Sequence, residues 1–288
     1  MRKCLGVVAA MATHALFAWT VCRLFLFLDG SQPHSESAHG SLTQNLLLGV
    51  AFGALHSFLL HPRIRQGLSR WIPPAFYGLF FCVVTCVSLC LTFAGWSHSR
   101  AVWWELTGPA RWGVQALWFA SWGLLVYSLW LSGLGYQTGA TPWWSWMRDR
   151  PLPTRPFRPR GPFLWLRHPA YLGFLGLVWW TPVMTADRLV LIGVWTVYIL
   201  NGSWLKDLRL VYFLGTPYQI YQSQVAGFPG VWWGPLAKRP LSALALDPET
   251  VAAAPVEQSR RFGALAASLP AAVDSADREL VAVAGQDD

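Results

Sequence analysis

Residues 166–173 read Leu-Arg-His-Pro-Ala-Tyr-Leu-Gly and set an arginine, a histidine and a tyrosine around a proline at the head of an apolar run. A proline fits the first turn of a helix, where its missing N–H would have no intrahelical partner. The spacing predicts a helix starting at Pro169, with His168 as its cap and Arg167 one step outside. The unpaired N–H groups and positive dipole end of such a helix form a seat for a carboxylate or phosphate. A guanidinium beside it adds paired donors, and an imidazole can carry a proton near neutral pH. Gly173 and Gly176 leave room for a ligand or a neighbouring helix to approach the backbone. The same residues also describe an ordinary membrane-interface start, with Arg167 snorkelling and Tyr171 in an aromatic belt. A second polar segment, Gly-Thr-Pro-Tyr-Gln-Ile-Tyr at Gly215–Tyr221, follows the apolar run from Val190 to Leu200.

The elements that hold these residues are membrane helices. The chain has 288 residues, of which 54% are hydrophobic and 12% charged, against about 25% charged in a soluble domain. Runs at Leu5–Leu28, Pro74–Ala94 and Gly113–Leu134 meet the span length of about 20 apolar residues. Leu46–Leu60 does so with help from residues 42–45. Pro169–Met184 and Arg188–Leu205 form a pair joined by the Met-Thr-Ala-Asp turn. Backbone in lipid must be paired internally, and no period-2 barrel pattern is present. The expectation is an all-α polytopic bundle of about six transmembrane helices, with a transmembrane domain at 1–237 and a polar, largely disordered cytoplasmic tail at 238–288. The first run exceeds the ~7–15-residue core of a cleaved signal and has no Ala-x-Ala site after it, so it reads as a retained helix.

Arginines orient the bundle. Residues 29–43 carry no Lys or Arg, whereas the next loop has Arg63, Arg65 and Arg70, and the fourth has Arg148, Arg150, Arg155, Arg158, Arg160 and Arg167. The excess of positive charge on the cytoplasmic side puts both termini, the basic loops and the Arg-His-Pro segment in the cytoplasm. Residues 1–240 carry 19 Lys/Arg and 6 Asp/Glu, net +13, while residues 241–288 carry 3 and 8, net −5. The cations flank spans, which fits anionic lipid rather than nucleic acid. The tail has one aromatic, Phe262, and at most a weak helix near Val256–Leu269.

Cys82, Cys86 and Cys90 repeat at helical spacing, a packing stripe rather than a metal site. His34 and His39, and likewise His98, read as solvated loop residues. His14 lies inside a span, where an ionisable group must be hydrogen-bonded or functional. His56 and Ser57 close the second span.

Residues 51–230 resemble the isoprenylcysteine carboxyl methyltransferase-like membrane methyltransferases, and within them the bacterial methanethiol S-methyltransferases, which make dimethyl sulfide. The resemblance rests on Arg-His-Pro-Ala-Tyr-Leu-Gly at Arg167–Gly173, Trp-Trp-Thr-Pro-Val-Met-Thr at Trp179–Thr185, Val197–Leu200 and Gly215–Tyr221. Ala54–Ser57 and Pro151–Arg158 add to it. It implies a cytoplasm-facing site for S-adenosylmethionine with Arg167, His168, Pro169, Tyr171 and Gly173 on one wall and Tyr218 and Tyr221 from the closing segment. Arg167 and the helix end would take the donor's carboxylate, and His168 would take the thiol proton. A small hydrophobic thiol would enter from the bilayer.

Two positions depart from the family pattern. A pair of adjacent glutamates is replaced by Lys206 and Asp207, so a cation stands where the sulfonium donor would be repelled, unless Lys206 snorkels while Asp207 does the ionic work. Gly135-Tyr136-Gln137 stands where the family has an arginine. The same resemblance therefore admits a lipid or isoprenoid acceptor, and also a non-catalytic relative of the accessory proteins linked to nitric oxide reduction. Acceptor and oligomeric state are not encoded in any motif.

Overall fold

The computed structural model describes residues 2–29, 41–153 and 157–240. Among the described residues, five helices are long and apolar enough to cross a membrane: α1 (Arg2–Asp29), α2 (Leu42–Leu60), α4 (Pro74–Ala94), α5 (Gly108–Leu131) and α9 (Ala186–Leu214), with the short α3 (Pro62–Leu68) between α2 and α4. Their outward faces carry large apolar side chains such as Leu5, Leu47, Val87, Phe119 and Val197, as lipid contact demands. The chain is an all-α integral membrane protein.

Helix starts follow the local chemistry. Ser41 caps α2 by accepting the Gln44 N–H at 3.3 Å. Prolines occupy the first turn of α3, α4, α5 and α8 (Pro169–Trp179), where no intrahelical N–H is missed. Two short helices, α6 (Leu134–Gln137) and α7 (Ala140–Met147), follow α5.

The fifth expected span, Pro169–Met184, differs from its prediction. Helix α8 ends at Trp179, and residues 183–185 form strand β2 (Val183–Thr185), paired antiparallel with β1 (Val102–Glu105). Pro182 explains the break, since a proline cannot continue a helix and pushes its predecessor towards extended backbone. The expected Met-Thr-Ala-Asp turn is therefore half strand and half the start of α9.

The residues fall into two compact units, Met1–Thr154 with His168–Lys206, and Arg155–Arg167 with Asp207–Asp288. In the first, Phe27 stacks on Phe93 at 4.6 Å and Phe25 meets Trp118 edge-on at 4.9 Å, beside buried Leu125, Leu177 and Leu191. Helix α8 lies against α5 at a point without side chains. A Cβ on Gly173 would sit 3.0 Å from the Ser121 carbonyl oxygen, and one on Gly176 would sit 2.1 Å from Ser121 Oγ. Of the two occupants allowed for these glycines, the structure supplies a helix. Asn45 exchanges two 2.8 Å bonds with the backbone of Ser97.

Histidines and cysteines find packing partners. His14 bonds the Ala10 carbonyl (2.7 Å) and Thr138 Oγ1 (3.3 Å). Cys82 and Cys86 are buried, and Cys90 faces Thr20 of α1 at 3.5 Å, as expected of a packing stripe. His98, expected in solvent, instead faces the buried Asp187 at 3.4 Å. Asp187 also accepts bonds from Trp96, Ser99 and Thr185, and Arg188 donates to the carbonyls of Phe27 and Leu28 at the end of α1.

In the second unit, the 3₁₀ turn Gly161–Leu164 precedes Arg167, and α10 (Thr216–Gln224) carries the tyrosines. A loop from Gly227 to Leu236 is closed by a 2.7 Å backbone bond and turns at two glycines with positive φ, Gly230 and Gly234. Trp232 and Trp233 project from its tip into the surroundings. The expected helix at Val256–Leu269 and most of the tail lie outside the described residues.

Candidate functional site

Within the second unit, Arg167 is the hub. Its side chain is fully buried. Nε and Nη2 donate to a single oxygen of Asp207, Oδ2, at 3.1 and 2.9 Å. Nη1 reaches the carbonyls of Val225 (2.6 Å), Ala237 (3.1 Å) and Gln222 (3.4 Å), and Nη2 reaches Pro235 (3.3 Å). The backbone N–H of Arg167 donates to Ala226. One guanidinium thus ties α9, the end of α10 and both flanks of the tryptophan loop. Its guanidinium nitrogens all meet acceptors of the chain itself.

Asp207 completes the pair. Its second oxygen, Oδ1, accepts the Tyr218 hydroxyl at 2.5 Å. A buried carboxylate is tolerable only when paired and hydrogen-bonded, and here both oxygens are engaged. Burial pushes the Tyr218 hydroxyl well above its usual titration range, and the Asp207 carboxylate pushes it the same way. Tyr221 is raised chiefly by burial, with Arg167 opposing. Its hydroxyl donates to the carbonyls of Phe163 and Leu166. Both rings meet Phe157 edge-on, at 5.6 and 5.3 Å. The two expected tyrosines are brought together with Asp207, with hydroxyls that face the chain.

Within the first unit, a second cluster forms at the start of α8. His168 caps the helix with its carbonyl accepting the Leu172 N–H, and Pro169 follows, buried, in the first turn. The His168 ring is 99% buried and 5.6 Å from Tyr171. The Lys206 ammonium lies over the Tyr171 ring, 5.0 Å from its centre. Adjacent positions on a helix point about 100° apart, which is how Lys206 and Asp207 acquire different surroundings. In the same unit, the His56 ring lies 6.3 Å from Tyr198 and 4.9 Å from Phe81, and its Nδ1 is 3.4 Å from Thr85 Oγ1.

Tyr198 and the carbonyls at 222, 225, 235 and 237 were not legible as site residues. Tyr198 lies in the Val197–Leu200 segment that carries part of the resemblance, but a tyrosine in an apolar run has no evident role of its own, and a carbonyl has no letter. His56 had a signal, an ionisable group inside a span.

No family model matches the chain, and no solved structure matches it. Over 235 residues the chain is 29% identical to the methanethiol S-methyltransferase of a Pseudomonas strain, covering 77% of this chain and 89% of that one. It is 28% identical over 183 residues to the methanethiol S-methyltransferase of Mycobacterium tuberculosis, covering 63% and 75%. A third relative, methanethiol S-methyltransferase 1 of Bradyrhizobium diazoefficiens, is 27% identical over 183 residues, covering 63% and 64%. The chain is thus similar to several bacterial proteins of one name.

Proposed function

We propose that the protein is a membrane methyltransferase that takes a methyl group from S-adenosylmethionine and delivers it to a small thiol such as methanethiol. The similarity to methanethiol S-methyltransferases along most of the chain is the observation that carries this reading. The donor set of the first unit suits such a cofactor, which would supply an electrophilic methyl on a sulfonium. Lys206 and the N–H groups at the α8 start suit a carboxylate. The faces of Tyr171 and Tyr198 suit a cation. His168 and Pro169 fix the first turn that presents those N–H groups.

The second unit has a supporting task. Arg167, Asp207, Tyr218 and Tyr221 are positioning residues that hold α10 and the tryptophan loop, rather than groups that touch the donor. Gly173 acts through helix packing. The orientation follows the arginine-rich loops, with both termini and the site on the cytoplasmic side of a bacterial inner membrane; Trp232 and Trp233 suit the headgroup layer there.

Membranes carrying the protein, given methanethiol and methyl-labelled donor, should release labelled dimethyl sulfide. No label above control membranes, for methanethiol and for short-chain thiols alike, overturns the reading. A non-catalytic role is the alternative that the Lys206 cation favours. It predicts that calorimetry finds no donor binding at all. A lipid acceptor would instead leave the label in the lipid extract.

A further inference from the structure

We infer that the Trp232–Trp233 loop, with Trp165 beside it and the cations Lys238 and Arg239 just after it, is a dock for anionic phospholipid headgroups. The inference stands on the second unit alone and does not need the methyl-transfer reading.

The second unit begins at a membrane edge. Helix α9 is charged at Asp187 and Arg188 and again at Lys206, Asp207 and Arg209, and residues 189–205 between them carry no charge. That stretch rises about 26 Å, close to the hydrocarbon thickness. Residues 207–214 therefore leave the hydrocarbon, and they belong to the second unit. Tyr212 and Phe213 are exposed there, as aromatic side chains at a span end commonly are.

The loop is held ready. Its ends are joined by the Gly227 N–H to the Leu236 carbonyl at 2.7 Å, and Arg167 takes the carbonyls of Val225, Pro235 and Ala237 on its flanks. The Arg239 N–H donates to the Gln222 carbonyl at 3.0 Å. A bridge between Leu166 and Ala226 lays the segment that carries Trp165 beside the same loop. Trp165, Trp232 and Trp233, exposed by 79, 81 and 82%, are thus presented from one braced piece of backbone. Indole combines a broad apolar body with a single N–H, which suits the layer between water and acyl chains. Bracing before contact spares the ordering cost of binding.

Charge selects the headgroup. Among the described residues of this unit the cations are Arg158, Arg160, Arg167, Arg209, Lys238 and Arg239, and the acid is Asp207. Arg167 and Asp207 pair with each other in the interior. The cations left at the surface, with Arg158, Arg160 and Lys238 exposed and Arg209 and Arg239 half-buried, are of one sign. The aromatic strand β1 of the first unit differs. Its Trp103 and Trp104 stand beside Glu105, which Arg111 faces at 3.6 Å. Indoles accompanied by cations alone favour anionic lipid, whose surface attracts Lys and Arg over about a Debye length. Residues 241–288 carry a net charge of −5 and are the rival occupant. Such a segment would match the cations and leave three indoles in water.

The test is amide hydrogen exchange of the full-length protein in nanodiscs, of phosphatidylcholine alone or with one part in three of phosphatidylglycerol. Exchange over residues 229–236 should be at least about fivefold slower in the phosphatidylglycerol discs, and molar salt should erase the difference. Lys238→Glu/Arg239→Glu should exchange alike in both discs, and Trp232→Ser/Trp233→Ser should keep less than half of the protection. Exchange over α10 reports folding and should not move. If the charge-reversed variant disturbs it, Lys238→Gln/Arg239→Gln serves, with the difference reduced rather than abolished. Equal loop exchange in the two discs for wild type, or an undiminished difference in the variants, overturns the inference. Loop exchange that is slow in both discs, and that salt releases together with residues 241–288, overturns it in favour of the acidic tail.

Discussion

Arg167 and Asp207, 40 positions apart, meet through two N–H···O bonds that end on the same carboxylate oxygen, while the other oxygen takes the Tyr218 hydroxyl. The pair is buried to about 2% exposure on each side. In such surroundings neither charge can be left alone. Removing one partner of a buried pair typically costs about 3–5 kcal/mol, because the survivor remains desolvated.

Asp207→Ala should therefore lower thermal stability by roughly that amount, and limited proteolysis should open the chain between residues 225 and 239. Asp207→Glu, which keeps the charge, should lose less. A melting curve for Asp207→Ala that overlays wild type would show the pair to be dispensable.

The tyrosines predict an alkaline limit. Burial first, and the Asp207 carboxylate second, raise the Tyr218 hydroxyl above its ordinary 10.0; burial raises Tyr221 likewise. A raised acid keeps its proton in the folded chain after the unfolded chain has lost it. The stability tied to these hydroxyls is whole below pH 10 and declines above it, by up to about 1.4 kcal/mol per pH unit for each. Unfolding measured from pH 8 to 11 should show a shallower alkaline fall in Tyr218→Phe/Tyr221→Phe than in wild type.

Helix packing gives a third expectation. Gly176→Ala would drive a methyl to 2.1 Å from Ser121 Oγ, and overpacking of this kind costs about 1–3 kcal/mol. Ser121→Ala removes the hydroxyl but leaves the Ser121 Cβ 2.8 Å from the new methyl, so the double variant Gly176→Ala/Ser121→Ala should recover part of the loss. Additive losses in the double variant would mean that α5 does not approach α8 at that point.

Lys206 separates two views of the rim. If its ammonium seats the donor's carboxylate, Lys206→Ala should weaken donor binding about tenfold, some 1.4 kcal/mol, and Lys206→Glu should weaken it further. Tighter donor binding by Lys206→Glu would instead favour the acidic pair that the resemblance led one to expect. Calorimetry with donor alone reads either result.

Much of the fold could be read from the chain because lipid leaves few options. Long apolar runs in a membrane must be helices, and the observed α4 coincides with its predicted limits, Pro74–Ala94. The misreading came where two rules competed. The run from Pro169 to Met184 is apolar throughout, yet Pro182 prevents a helix from using all of it, and the strand that completes it depends on a partner about 80 positions earlier. His168, Pro169 and Tyr171 were legible as a cluster because proline marks the helix start and residues one turn apart share a face. The engagement of Arg167 was not, since four of its acceptors are backbone carbonyls that any residue would supply. His98 was misjudged for a related reason: its partner, Asp187, comes from a helix far along the chain.

Helix α8 has 11 residues, a rise of about 16 Å, roughly half the hydrocarbon thickness. Beyond it the backbone is satisfied from elsewhere: Pro182 O by the Leu106 N–H, Val183 O by Thr181 Oγ1, and β2 by β1. Residues 102–106 look like a connector that would accept an inserted tag. They are instead one strand of a hairpin with β2, and lengthening them would break the backbone bonds that hold the segment after α8. Loop-tolerant engineering sites in this protein must be sought away from that hairpin.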